Sequence, residues 1–156
     1  MQRSYLDAIQ LIERLHRQCL ELVKAELDRL TIRDVNNIQA LILFNIGAEE
    51  LTVGELTQRG YYLGSNVSYN VKKLVENGYL NQQRSEHDRR SFHVRASDKG
   101  LEVSTAIAKL FDRHACHMPD AGIVAEELDG ASEVLSKLLR FLSVPGNRMG
   151  NISSAA

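Results

Sequence analysis

Asp88-Arg89-Arg90 stands between two short, partly alternating runs, Tyr79–Arg84 and Ser91–Ala96. Alternation of this kind suits strands, and the polar joint between the runs suits an antiparallel hairpin. Two adjacent guanidinium groups at such a tip can reach into a narrow, electronegative DNA minor groove. Asp88 also suits a tight turn by itself, and the two roles are compatible. Upstream, Ser65, Asn66, Ser68, Tyr69, Asn70, Lys72 and Lys73 share a segment whose Val67, Val71, Leu74 and Val75 fall to one side at helical spacing. An asparagine amide matches adenine bidentately, Ser and Tyr hydroxyls donate to phosphate or base edges, and a lysine offers a point charge to phosphate. Tyr69 fits a half-buried aromatic under the hairpin equally well. Tyr61 and Tyr62, in the turn before this segment, pack or touch phosphate rather than read sequence.

These groups need elements to hold them. Leu51–Gly60 predicts a short helix, and Thr52 with Glu55 fits a capping box in which hydroxyl and carboxylate satisfy free amides. A second helix spans Ser65 to Val75, and Gly78 ends it. A helix-turn-helix followed by a β-hairpin is a winged helix, which offers a helix to the major groove and a loop tip to the neighbouring minor groove. The rest of the chain reads as helical. Tyr5, Ile9, Ile12, Leu15, Cys19, Leu22, Val23 and Leu27 recur at three- and four-residue steps, predicting one long amphipathic helix from Ser4 to Leu30. Asp34 or a neighbour starts another, closed by Gly47. Ser97 opens a long helix that Pro119 ends. The last runs from about Ile123 to Leu142 with Leu128, Leu135, Leu138, Leu139, Phe141 and Leu142 on a wide apolar stripe. The expected fold class is therefore mainly α with a small β-hairpin wing. Its terminal helices carry more apolar surface than a lobe of this size covers, so they need a partner.

The 156 residues carry a net charge of −1, which by itself speaks against a nucleic-acid partner. The distribution speaks for one. Between Arg59 and Arg95 seven Lys and Arg oppose three Asp and Glu, giving +4 and leaving −5 for the remainder. A basic lobe on an acidic body orients a protein on a polyanion. With 44% hydrophobic residues, the chain can bury the core of one domain, with no internal repeat or linker evident. The longest apolar runs are too short to cross a bilayer, and no basic-then-apolar leader is evident at the start. The expected location is the cytoplasm, on the nucleoid when DNA is bound. Two cysteines, Cys19 and Cys116, make no disulfide framework and fit a reducing compartment.

From Leu30 to Gly100 the chain resembles the multiple-antibiotic-resistance regulator (MarR) family. The resemblance lies in Leu51-Thr-Val-Gly-Glu-Leu56, Val71-Lys-Lys-Leu-Val-Glu-Asn-Gly-Tyr-Leu80, Asp88-Arg89-Arg90 and Ser97-Asp-Lys-Gly100, in that order and spacing. Ala96-Ser97 replaces the family's usual Leu-Thr, and Ser97 can still cap the next helix. The segment Ser65–Asn70 is poorer in Arg than is common in the family. The resemblance implies one domain over 1–156, with a winged helix-turn-helix lobe at 34–97, dimerisation helices at 4–30 and 98–143, and a flexible tail at 145–156. It implies a homodimeric repressor on a pseudo-palindromic double-stranded operator, released by a small aromatic or phenolic effector. Arg90 would enter the minor groove with Asp88 orienting it or a nearby arginine, and Arg84, His87, Arg89 and Arg95 would add phosphate contacts. The effector crevice would draw on Leu15, His16, Ile38, Leu41 and Ile42, whose helical spacing is also that of ordinary core. Activation instead of repression stays open.

Other chemistries leave weaker traces. Cys19 lies on a helix where some relatives carry a peroxide-sensing thiol, but an apolar stripe is not the electropositive setting a reactive thiol needs. His114 and His117, beside Cys116, are compatible with a metal site, but a helix-end pair favoured by the dipole is the preferred reading. A redox- or metal-responsive regulator is thus one alternative, and a winged helix used only for protein binding is another. Glycine-rich phosphate loops, nucleophile elbows, carboxylates paired with a histidine and closed metal sets are all absent from the sequence, so no enzyme activity, cofactor or bound metal is expected.

Overall fold

A computed structural model describes residues 1–59, 64–84 and 92–143, with the side chains of residues 64 and 65 outside that description. The chain divides into two compact units, Met1–Asp112 and Arg113–Ala156. Among the described residues there are six α-helices and one three-stranded sheet.

In the first unit, α1 (Gln2–Arg29) buries only its last turns, through Val23, Glu26 and Leu27. Glu26 is 6% exposed, and Arg29 meets its carboxylate with two hydrogen bonds, Nε to Oε2 at 2.9 Å and Nη2 to Oε1 at 2.8 Å. That fork supplies the pairing a carboxylate needs away from water. Helix α2 (Asn37–Ile46) starts at Asn36, which forms a capping box with Gln39, and ends at Gly47. Asp34 serves the fold differently, as described below.

Residues 51 and 52 depart from the expected helix. Joined by Glu50, they form strand β1 (Glu50–Thr52), and α3 begins only at Val53 and runs to Arg59. The capping box is nevertheless present: Thr52 Oγ1 accepts from the Glu55 amide at 3.1 Å, and Glu55 Oε2 accepts from the Thr52 amide at 2.7 Å. Thr52 is thus both the end of a strand and the cap of a helix. Helix α4 (Gly64–Glu76) follows, with Val67, Val71 and Leu74 buried. Gly78 stops it in a left-handed conformation, φ 75°, while the Tyr79 amide reaches back to the Leu74 carbonyl at 2.8 Å. A side chain would be strained there, which is why glycine ends the helix.

Strands β2 (Leu80–Arg84) and β3 (Phe92–Ala96) form the expected hairpin, paired from Leu80↔Ala96 to Arg84↔Phe92. Strand β1 adds antiparallel to the other edge of β3, so the order is β1-β3-β2. Ser97 caps α5 (Asp98–His117), accepting from the Gly100 amide at 3.1 Å. Ile42, Leu43, Ile46, Leu56, Val67, Leu74, Val94 and Ile107 form the centre of the core.

A polar node ties three elements of this unit together. Asp34, in the loop between α1 and α2, accepts from the Tyr79 hydroxyl at 2.6 Å and from Lys99 Nζ at 3.0 Å. Lys99 Nζ also lies 3.9 Å from the centre of the Tyr79 ring, a cation–π contact. The Tyr79 hydroxyl bond, then Lys99, holds the Asp34 carboxyl below its usual range, whereas burial and then Asp34 push the Tyr79 phenol up. Tyr79→Phe should lower unfolding free energy by about 1–2 kcal/mol, the scale of a hydrogen bond to a charged group reduced by the half-exposure of Asp34. The contribution of Asp34 is present above its unfolded value, near 4, and is lost as pH falls through the lowered folded value. Urea titrations at pH 7 and pH 3 should therefore show a smaller gap between parent and Tyr79→Phe at pH 3. An equal gap at both values would detach Asp34 from the node.

The second unit holds a 3-10 turn (Pro119–Ala121), closed by Gly122, and α6 (Ala125–Ser143). No residue of α6 is buried. Its apolar face is bare: Leu135, Leu139 and Leu142 are 44%, 65% and 54% exposed. Among the described residues no helix is long and apolar enough to cross a membrane. The expected tail at 145–156 lies outside the described residues.

Candidate nucleic-acid interface

Helix α3 packs beside α4 and both lean on α2, so the apolar side of α4 is spent on the core and its polar side faces outward. On that outer side Asn66, Ser68, Tyr69 and Lys72 are exposed and Lys73 is half-buried. Tyr69 is 60% exposed, which removes it from the half-buried alternative. Asn70 differs from the others. It is 7% exposed, and its Nδ2 donates to the Asn66 carbonyl at 2.8 Å, so it braces the helix from inside. Lys73 Nζ meets Glu76 Oε2 at 2.8 Å and Lys72 Nζ lies 3.9 Å from Glu76 Oε1. The Lys73 bond draws the Glu76 carboxyl down and lifts the lysine.

Beside α4 stands the hairpin. A cleft of about 630 Å3 separates them, lined by Thr52, Val53, Ser68, Lys72, Gln82 and Phe92 among others. Phe92 lies on the side of β3 that Val94 and Ala96 bury, yet it is 40% exposed. The Arg84 guanidinium carbon sits 5.8 Å from its ring centre. This pairing fixes the root of the hairpin arm and was missed from the sequence, although the two-residue period of β3 does put Phe92 with Val94. Arg95 is exposed on the opposite face of β3. Tyr61, Tyr62, His87, Asp88, Arg89 and Arg90, and the side chain of Ser65, lie outside the described residues.

The residues of the expected effector crevice fall into two groups. Leu15 and His16 are exposed on α1, Ile38 and Leu41 are half-buried on α2, and Ile42 is fully buried in the core. Burial pushes the Cys19 thiol up, away from the thiolate form. His117 Nδ1 lies 2.6 Å from the Arg113 carbonyl of its own helix. Among the described residues no three His, Cys, Asp or Glu side chains gather as a metal site would require.

Residues 35–100 match the family described as a winged helix DNA-binding domain. The exopolysaccharide II synthesis transcriptional activator ExpG of Rhizobium meliloti is 38% identical over 117 residues, 73% of this chain and 60% of that protein. The uncharacterized HTH-type transcriptional regulator YkoM of Bacillus subtilis is 29% identical over 98 residues, 62% of this chain and 60% of its own length. The chain thus spans about 60% of the length of the curated relatives it matches. Among solved structures, Streptococcus pneumoniae FabT in complex with DNA superposes with a TM-score of 0.67 at 22% identity, covering 88% of this chain and 96% of that one. A mutant MarR from E. coli complexed with operator DNA gives 0.69 at 18% identity, covering 87% and 96%.

Proposed function

We propose that the chain is a DNA-binding transcription regulator and not an enzyme, acting as a sequence-specific homodimer on a pseudo-palindromic operator; the winged-helix match over residues 35–100, the similarity to ExpG and the fold shared with MarR structures support this reading. The observation that carries this reading is the outward polar face of α4 beside the two-stranded arm β2–β3. In the proposal α4 enters the major groove through Asn66, Ser68 and Tyr69, with Ser65 beside them. Lys72, Lys73 and Arg84 meet phosphate, while Arg90 enters the minor groove with His87, Asp88 and Arg89 around it. Asn70 supports the helix from behind.

The bare apolar faces of α6 and of the first two-thirds of α1 support the dimer. Leu11 and Leu15 are 57% and 61% exposed, and surfaces of this kind mark association sites. We assign 4–30 and 98–143 to dimerisation, 34–97 to DNA and 145–156 to a flexible tail, within one functional domain acting in the cytoplasm. A twofold dimer presents two copies of α4 and so asks for two half-sites related by symmetry. Release by a small aromatic or phenolic effector completes the reading, with Leu15, His16, Ile38 and Leu41 as the accessible candidates. Repression is the sign first expected. Activation is a second reading, favoured by the activator named among the relatives.

The test is selection of bound fragments from genomic DNA with the full chain, together with sedimentation. A dimer at micromolar concentration and enrichment of fragments with an inverted repeat are the expected results. Leu139→Glu should convert the dimer largely to monomer while the lobe's helical signal persists. A folded monomer of the parent chain would overturn the assembly, and absence of enrichment would overturn the DNA reading.

A further inference from the structure

We infer that α4 reads A·T base pairs, with Asn66 as the adenine reader and the Tyr69 ring as the contact to the thymine methyl group. This rests on the DNA-binding reading above and deepens it. A recognition helix reaches base edges with its N-terminal turns, while its later turns pass the backbone. In the first two turns of α4 the exposed described side chains are Asn66, Ser68 and Tyr69, whereas Val67, Asn70 and Val71 are buried. Asn66 and Tyr69 are three residues apart. They are neighbours on one face, with Cβ atoms about 5–6 Å apart, and so can address one base pair or two adjacent ones.

The chemistry of these two side chains is selective. A planar carboxamide presents a donor and an acceptor side by side, matching N6 and N7 of adenine, and an apolar surface favours the C5 methyl of thymine. Ser68 can donate to or accept from any base and adds no discrimination. Guanine is the base that Arg or Lys reads through O6 and N7. No arginine occurs between residues 60 and 83. The two lysines sit a turn beyond the readers and lean on Glu76, where the backbone would pass. The Asn70 amide bonded to the Asn66 carbonyl at 2.8 Å stiffens the turn that carries the adenine reader.

Two base analogues test the inference on fragments selected by the full chain. Replacing thymine with deoxyuridine in the half-sites removes only the methyl group, and replacing adenine with 7-deazaadenine removes only N7. Deoxyuridine should weaken binding by the parent chain several-fold, leave Tyr69→Ala unaffected, and act fully on Tyr69→Phe. The deaza substitution should weaken the parent several-fold, since it removes one of the two bonds of the bidentate pair, and leave Asn66→Ala unaffected. Half-sites built on G·C pairs, or analogue effects that are the same in parent and variants, would overturn the inference while the DNA-binding reading stands. If no fragment is enriched at all, both fall together. Circular dichroism of each variant separates loss of reading from loss of fold.

Discussion

Gly100→Ala should destabilise the lobe by about 3 kcal/mol, the upper part of the range for forcing atoms into a packed interior. A Cβ at this position would land far inside van der Waals contact with the Tyr79 carbonyl oxygen and press on Leu43 Cδ2 at 3.3 Å. The carbonyl is not a flexible tip. It accepts from the Ser97 amide at 3.0 Å, so moving it disturbs the cap of α5 as well as the start of β2. Gly130→Ala in α6 is the matched control, since nothing lies within 4 Å of an added Cβ there. Replacing a helical glycine by alanine should raise helix stability by about 0.8–1 kcal/mol. Denaturant midpoints followed by circular dichroism give both values, and a Gly100→Ala midpoint equal to the parent's would contradict the close approach of α5 to β2.

If Arg89 and Arg90 clasp the minor groove as proposed, Arg89→Ala with Arg90→Ala should weaken binding to a selected operator by roughly 3 kcal/mol, more than a hundredfold, with the fold retained. The strands end in the pair Arg84↔Phe92, leaving residues 85–91 to join them with both arginines in that stretch. Lys72→Ala should act differently. Taking one phosphate-neutralising charge off α4 lowers affinity for all sequences and reduces the log–log salt slope by about 1. Isotherms at several salt concentrations distinguish the two variants. Unchanged affinity of the double variant would remove the clasp and favour a surface for protein partners instead.

The sequence was most legible where one pattern decided one element. Period-3.6 stripes placed α1, α4, α5 and α6 within a few residues, and Gly47, Gly78 and Ser97 ended or opened helices as their chemistry requires. Strand β1 was hidden because Leu51-Thr52 also serves the start of α3, and a three-residue strand has no periodicity of its own. Its existence depends on β3, more than forty residues further along the chain. Asp34 reads as a helix start by local preference, yet its partners Tyr79 and Lys99 lie 45 and 65 residues further along the chain. In the candidate interface Lys72, Asn66 and Tyr69 follow from the helical period. Asn70 follows from it too, on the other side: with Val67, Val71 and Leu74 it stands at i, i+3, i+4 and i+7, so the period puts it on the buried face, where its polar side chain bonds the Asn66 carbonyl.

Thr52 carries a dynamic consequence. As the last residue of β1 it is paired opposite His93 of β3, and as the cap of α3 it holds the Glu55 amide. One residue thus links the pairing of β1 with β3 to the start of α3, the helix against which α4 rests. Strand β1 and the first turn of α3 are then expected to open together as one cooperative unit, with matched amide exchange at Thr52 and Glu55.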